Sequence, residues 1–253
     1  MKNIRLIARL DIKAPFLVKG IQLEGLRKLG DPNEFALKYY HAGIDEIFYI
    51  DIVASLYDRN TLTDIISKTT NEVFVPITVG GGIRNLFDVE KVLRAGADKV
   101  AINTAAIKNP ILIEDISKRF GSSCLVLSIE AKKINKDNWE AYYDNGREHS
   151  GLDVCEWAIE GQDRGAGEIL ITSIDRDGTK KGFDNDLINK ISDKSRVPLV
   201  ISGGFGNLDH ISELTSKSNL GGIAIGSSLH YENITVNEIR QYCIEKKVPI
   251  RTI

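Results

Sequence analysis

Only three cysteines occur in the 253 residues, Cys124, Cys155 and Cys243. Odd in number and far apart, they form neither a disulfide framework nor a zinc-ligand cluster. His41, His149, His210 and His230 are equally scattered, so ligand spacing gives no reason to expect a metal or another cofactor. No apolar run approaches the roughly 20 residues that span a bilayer. Met1-Lys2-Asn3-Ile4-Arg5 leads into a strand-like run with no signal-peptide h-region. The expectation is a cytoplasmic protein that meets no membrane. Neither sign of charge dominates: 33 Lys and Arg against 35 Asp and Glu give a net charge of −2. A dedicated nucleic-acid binder normally carries a basic excess, and none is present. With 42% hydrophobic and 27% charged residues, the composition is that of an ordinary globular protein. The length suits one undivided barrel domain over residues 1–253.

What the chain has in quantity is glycine, 22 residues, and its pattern repeats. Val79-Gly80-Gly81-Gly82-Ile83-Arg84-Asn85 returns 122 residues later as Ile201-Ser202-Gly203-Gly204-Phe205-Gly206-Asn207. Phe48-Tyr49-Ile50-Asp51 is echoed by Ile171-Thr172-Ser173-Ile174-Asp175, and Ala101-Ile102-Asn103-Thr104 by Ala224-Ile225-Gly226-Ser227. Glycine-rich turns after apolar strands expose backbone N–H groups that can hold a phosphate. Two copies at matching places predict two phosphate sites, and so a ligand phosphorylated at both ends.

Short apolar runs alternate with amphipathic stretches, which predicts repeated βα units around a parallel sheet. Eight strands are expected: Ile4–Leu10, Glu46–Ile50, Ile77–Val79, Lys99–Ile102, Cys124–Ile129, Glu168–Thr172, Leu199–Ile201 and Gly222–Ile225. Helical periodicity is clear over Asp31–Ala42, Leu86–Ala95 and Ile111–Phe120. The fold class is therefore α/β, a (β/α)8 TIM barrel of two similar half-barrels. An open doubly wound sheet is the alternative, but it would need its glycine fingerprint after the first strand. Two stretches break the rhythm. Val18–Gly30 is too long for an ordinary βα connection and predicts a mobile active-site loop. Lys132–Ser150 predicts a hairpin turning at Asp144-Asn145-Gly146.

Barrel enzymes work at the C-terminal ends of their strands. Asp11 and Glu130 end strands one and five of the predicted eight, in corresponding places of the two halves. An opposed carboxyl pair between two anion cradles suits proton transfer in both directions; singly, such residues also cap helices. Asp51, Asp175, Asp177 and Gly178 stand on the same rim. At the other rim Arg5, Glu46, Lys99 and Glu168 each begin a strand. Strand parity puts Arg5, Ile7, Arg9 and Asp11 on one face. The four rim charges can form a salt-bridged plug or a gate.

Several runs resemble the cyclase subunit of imidazole glycerol phosphate synthase, from histidine biosynthesis, over almost the whole chain. They include Leu10-Asp11-Ile12-Lys13, Val18-Lys19-Gly20, Leu26–Pro32, Gly96-Ala97-Asp98-Lys99-Val100, Ile102–Ala106, Gly165–Leu170 and Thr172–Thr179, besides both glycine turns. The resemblance implies a (β/α)8 barrel that accepts ammonia from a partner glutaminase subunit. The ammonia attacks a bis-phosphorylated ribulosyl aminoimidazole carboxamide. Imidazole glycerol phosphate and an aminoimidazole carboxamide ribotide are then released. By the same resemblance Asp11 and Glu130 are the catalytic carboxyls and Lys19 binds substrate. Gly82, Asn103 and Thr104 match one phosphate site, and Asp177, Gly178, Gly203, Gly204, Gly226 and Ser227 lie at the other. Arg5, Glu46, Lys99 and Glu168 match an ammonia gate.

This chain departs from the family pattern at four places. Glu130 replaces an Asp, Arg9 a small Cys, Ala101 a Ser, and Lys13-Ala14-Pro15-Phe16 a Lys-Asp-Gly-Arg run. An altered mouth above an intact floor leaves a second reading open: a diverged ammonia-dependent relative that makes amidino sugars of surface glycans. A third is an idle barrel that only binds a glutaminase. Asp11, Lys19 and both phosphate turns speak against it.

Overall fold

The structure is a computed structural model, and it describes residues 3–54, 62–214 and 219–252. Eight parallel strands close on themselves: β1 (Arg5–Lys13), β4 (Glu46–Asp51), β5 (Ile77–Gly80), β6 (Lys99–Ile102), β7 (Leu125–Lys133), β10 (Glu168–Ser173), β11 (Leu199–Ser202) and β12 (Leu220–Ile225). Closure is explicit, since β1 pairs with both β4 and β12, and β7 pairs with β10. An open doubly wound sheet is thereby excluded.

Strand alternation sorts the apolar residues into two layers. Leu6, Ala8, Leu10, Ile47, Tyr49 and Val79 face outward against the helices. Ile7, Phe48, Ala101, Val126, Leu170, Val200 and Ala224 fill the lumen. Helices follow where the periodicity places them, at Pro32–His41, Leu86–Arg94 and Ile111–Phe120. The first is capped by Asp31, whose carboxylate accepts from the Asn33 N–H at 2.7 Å, with proline in the first turn. Among the described residues no helix is long and apolar enough to cross a membrane.

The stretch over Val18–Gly30 is a correction: it is not a loop but most of a hairpin. Strands β2 (Phe16–Ile21) and β3 (Glu24–Gly30) pair antiparallel with each other, and β2 pairs with the end of β1. The turn residues Gln22 and Leu23 take left-handed φ angles of 54° and 63°, which non-glycine residues seldom adopt. Such a turn is usually announced by Asn-Gly or Asp-Gly, and this run carries neither. Gly20 permits the tight pairing, because a Cβ there would lie 2.1 Å from the Glu24 carbonyl oxygen. The second hairpin forms as expected, from β8 (Trp139–Tyr143) and β9 (Glu148–Asp153). Both β1 and β7 outrun their predicted ends because each also pairs with its hairpin.

Candidate active site

The side chains of β1 that face inward mark the levels of the barrel from floor to mouth. At the floor, Arg5 Nη1 donates to Glu46 Oε2 at 2.5 Å, and Nη2 bonds Glu168 Oε1. Lys99 Nζ reaches Glu46 Oε1 at 2.6 Å and Glu168 Oε2 at 2.8 Å. Each carboxylate is thus held by both cations, and Thr78 Oγ1 adds a bond to Glu46 at 2.6 Å. The four predicted floor residues are brought together in one ring. Above them Ile7 belongs to the apolar lumen. Next comes Arg9, whose guanidinium crosses the barrel: Nη1 donates to Thr172 Oγ1 at 2.7 Å and Ser202 Oγ at 3.3 Å. Asp11 stands last, at the mouth.

Asp11 is buried with cations on both oxygens. Arg9 Nε donates to Oδ1 at 2.9 Å, and Lys19 Nζ to Oδ2 at 2.9 Å. Burial favours the neutral acid, but the adjacent guanidinium and ammonium win and hold the carboxyl far below its ordinary value. Lys19 comes from β2 and also donates to Asp177 Oδ2 at 2.8 Å. Glu130 is treated in the opposite way. Burial pushes its carboxyl up to about 7, against the pull of Arg9 and of the Gly146 N–H, which donates to Oε2 at 2.7 Å. Two acids on opposed strands are therefore driven apart, one ionised and one protonated near neutrality.

Glu130, Gly82, Asn103 and Thr104 line a cavity of about 340 Å³ together with Gly81 and Asn145. The second hairpin builds one wall. Asn103 Nδ2 donates to the Tyr142 carbonyl at 3.1 Å, and Thr104 Oγ1 accepts from the Asp144 N–H at 3.1 Å. The second glycine turn is different. Gly178, Gly203, Gly204, Gly226 and Ser227 surround a cleft of only about 20 Å³, shared with Arg9, Lys19 and Asp177. Lys19, Gly178 and Ser227 also open onto a wider space of about 640 Å³ beneath the first hairpin. Asp11 itself lines neither the 340 Å³ cavity nor the cleft, because Arg9 and Lys19 cover its carboxylate. Of the opposed carboxyl pair, Glu130 thus opens onto the 340 Å³ cavity and Asp11 does not.

Five contributors were not legible beforehand. Gly146 and Asn145 act through the second hairpin's turn, Thr172 and Ser202 anchor Arg9, and Thr78 braces the floor. Only the turn motif carried a signal, as hairpin chemistry rather than as part of a site. His230 is structural. Its Nε2–H donates to the Arg9 carbonyl at 2.9 Å, Nδ1 accepts from Tyr39 Oη at 2.7 Å, and burial lowers it to about 4. Cys124 is buried, its thiol raised by desolvation, and so is a poor nucleophile.

A family model described as "Histidine biosynthesis protein" matches residues 5–235. A protein of Legionella pneumophila named "Imidazole glycerol phosphate synthase subunit HisF" is 59% identical over 212 residues, which are 84% of this chain and all of that one. Proteins of the same name are 45% identical in Prochlorococcus marinus subsp. pastoris and 43% in Natranaerobius thermophilus. Those alignments cover 99% and 98% of both partners. With the strand-end residues, both glycine turns and the closed barrel in place, the chain belongs to the histidine biosynthesis protein family, among the HisF subunits of imidazole glycerol phosphate synthase.

Proposed function

We propose that this chain is the cyclase subunit of that synthase, with Asp11 and Glu130 as its proton-transfer pair. Ammonia attacks the ribulosyl carbon chain of the bis-phosphorylated substrate. Ring closure forms imidazole glycerol phosphate, and cleavage frees the aminoimidazole carboxamide ribotide. Glu130, protonated near neutrality, gives the proton that the departing nitrogen needs, and ionised Asp11 accepts one from the attacking nitrogen. The observation that carries this reading is the opposite environment of the two carboxyls on β1 and β7, one in an ion pair and one desolvated.

Asp11 is a weak base while two cations hold it. A ligand phosphate at Gly203, Gly204, Gly226 and Ser227 competes for Lys19 and frees one carboxylate oxygen. The other phosphate binds at Gly82, Asn103 and Thr104. Ammonia enters through the ring of Arg5, Glu46, Lys99 and Glu168, against which the glutaminase subunit docks, and crosses the apolar lumen. The complex works in the cytoplasm. Amidino-sugar synthesis is disfavoured by relatives named for the histidine-pathway synthase along nearly the whole chain. An idle scaffold is disfavoured by Asp11, Arg9, Lys19 and Asp177, because burying four charges is costly and closing a barrel does not require it. The test is turnover of the ribulosyl carboxamide with ammonium salts. Imidazole glycerol phosphate is the expected product, and its absence from folded protein would refute the assignment.

A further inference from the structure

The cyclase reading above leaves Arg9 without a task. Its side chain is 4% exposed, and one guanidinium ties three strands together. It donates to Asp11 on its own strand and to Thr172 and Ser202 on β10 and β11. All three anchors belong to the barrel wall. The other cation on Asp11 has a different footing. Lys19 rides on the first hairpin, whose turn is fastened at Gln22 N–H to the Asp177 carbonyl at 2.8 Å. Lys19 is also shared with Asp177, at the edge of the second glycine turn.

That cleft, at about 20 Å³, has room for about one water. A phosphate enters only if the Lys19–Asp177 pair gives way. An ammonium on the rim of an anion cradle gains strong charge-assisted bonds to phosphate oxygens. Asp11 then keeps one cation, the one that cannot follow. We infer that Arg9 is a positioning residue, which holds the Asp11 carboxylate paired and aimed when an anion in the second cradle draws Lys19 away. The inference rests on the reading of that cradle as a phosphate site. Without Arg9, a carboxylate buried to this depth and deserted by Lys19 would take up a proton and cease to be a base. The groups that face Asp11 are Arg9 from β1, Lys19 from β2, Glu130 from β7, and neutral His230 from beyond β12. Asp177 acts on it through Lys19.

The test follows the Asp11 carboxyl carbon by NMR as pH is lowered, with and without excess inorganic phosphate. In the wild-type chain Asp11 stays ionised throughout the folded range in both conditions. In Arg9→Met it does so only without phosphate, while Lys19 is still in place. With phosphate its midpoint climbs by at least about one pH unit, a tenfold weaker acid, and Arg9→Lys reverses the climb. If Arg9→Met fails to fold, Arg9→Gln, which keeps donors but no charge, is read by the same criterion. A charge-less variant whose Asp11 titrates alike with and without phosphate overturns the inference. So does a wild-type Asp11 that moves as far as the variant's. In the ammonium assay Arg9→Met lowers kcat about tenfold or more at nearly constant KM; a raised KM with unchanged kcat would mean that Arg9 grips the ligand directly, and would also overturn it. The titration needs no turnover, so a failed cyclase assay and a failed role for Arg9 are separate results.

Discussion

Glu130→Gln is expected to make the protein more stable at neutral pH while leaving only a residual rate. The carboxyl is pushed from an ordinary 4.5 up to about 7, chiefly by burial. In the unfolded chain Glu130 loses its proton near 4.5; in the folded chain it keeps it until about 7. Stability contributed by the protonated form is complete below 4.5 and is lost as pH rises through 7. At about 1.36 kcal/mol for each pH unit, the loss amounts to ~3 kcal/mol across that window. Glutamine has no proton to lose, and its amide oxygen can still accept from the Gly146 N–H. The stability difference between variant and wild type should therefore grow by ~3 kcal/mol from pH 4.5 to pH 7.5 and stay level above that. Asp11 and His230, both lowered, weaken the fold toward acid, but equally in both proteins, so they cancel in the difference. Urea unfolding at closely spaced pH values measures it. A difference that stays flat would refute the claim that Glu130 is held protonated, and with it the acid half of the mechanism.

Other outcomes follow from the same geometry. Asp11→Asn keeps the fold but lowers kcat by about a hundredfold or more, measured as imidazole glycerol phosphate formed from ammonium salts. The wild-type rate, plotted against pH, falls above about 7 as Glu130 ionises, and this alkaline limb is absent from the residual rate of Glu130→Gln. Gly204→Ala places a Cβ 2.0 Å from the Gly182 carbonyl oxygen at a φ of +102°, so a raised KM and a loss of ~1–3 kcal/mol in stability are expected. Lys99→Met leaves Glu46 and Glu168 to share Arg5, which lowers the melting temperature. In complex with the glutaminase it reduces glutamine-dependent turnover more than ammonium-dependent turnover. Equal losses in the two assays would count against a gate.

The barrel and its two rims were legible because parallel strands and their glycine turns are local signals. The face shared by Arg5, Ile7, Arg9 and Asp11 needed only the two-residue period of a strand. The first hairpin was not legible, since Gln22 and Leu23 enter left-handed backbone that nothing in their side chains advertises. Once that hairpin is missed, the contact of Lys19 with Asp177, 158 residues away, is missed too. What the two hairpins lay over Asp11 and Glu130 was hidden for the same reason, whereas Arg9, two residues before Asp11 on one strand face, was legible.

Those hairpins are themselves part of the duplication. Phe16, the start of β2, and Trp139, the start of β8, stand 123 residues apart. Asp31 and Asp153, which cap the helices that follow, stand 122 apart. Each half-barrel thus carries a strand with an acid toward its mouth end, a hairpin folded over it, and an aspartate-capped helix. Leu23, Tyr142 and Ile174 pack where the hairpins meet, and Asn145 Nδ2 reaches the Leu23 carbonyl at 3.3 Å. The chemical difference lies in what each hairpin delivers. The first brings an ammonium to Asp11, and the second brings an uncharged N–H to Glu130. A charged partner keeps a buried carboxyl ionised; a neutral donor in a dry pocket does not. Two near-equivalent halves thus hold one carboxyl ionised and raise the other, because one hairpin delivers a charge and because Arg9 bonds Asp11. Replacing Lys19 by Met in an Arg9→Met background should therefore draw the Asp11 midpoint up, toward the behaviour of Glu130, whereas in Lys19→Met alone Arg9 keeps it ionised. If the Asp11 carboxyl carbon of the double variant titrates as in the wild type, the two cations are not what separates the two acids.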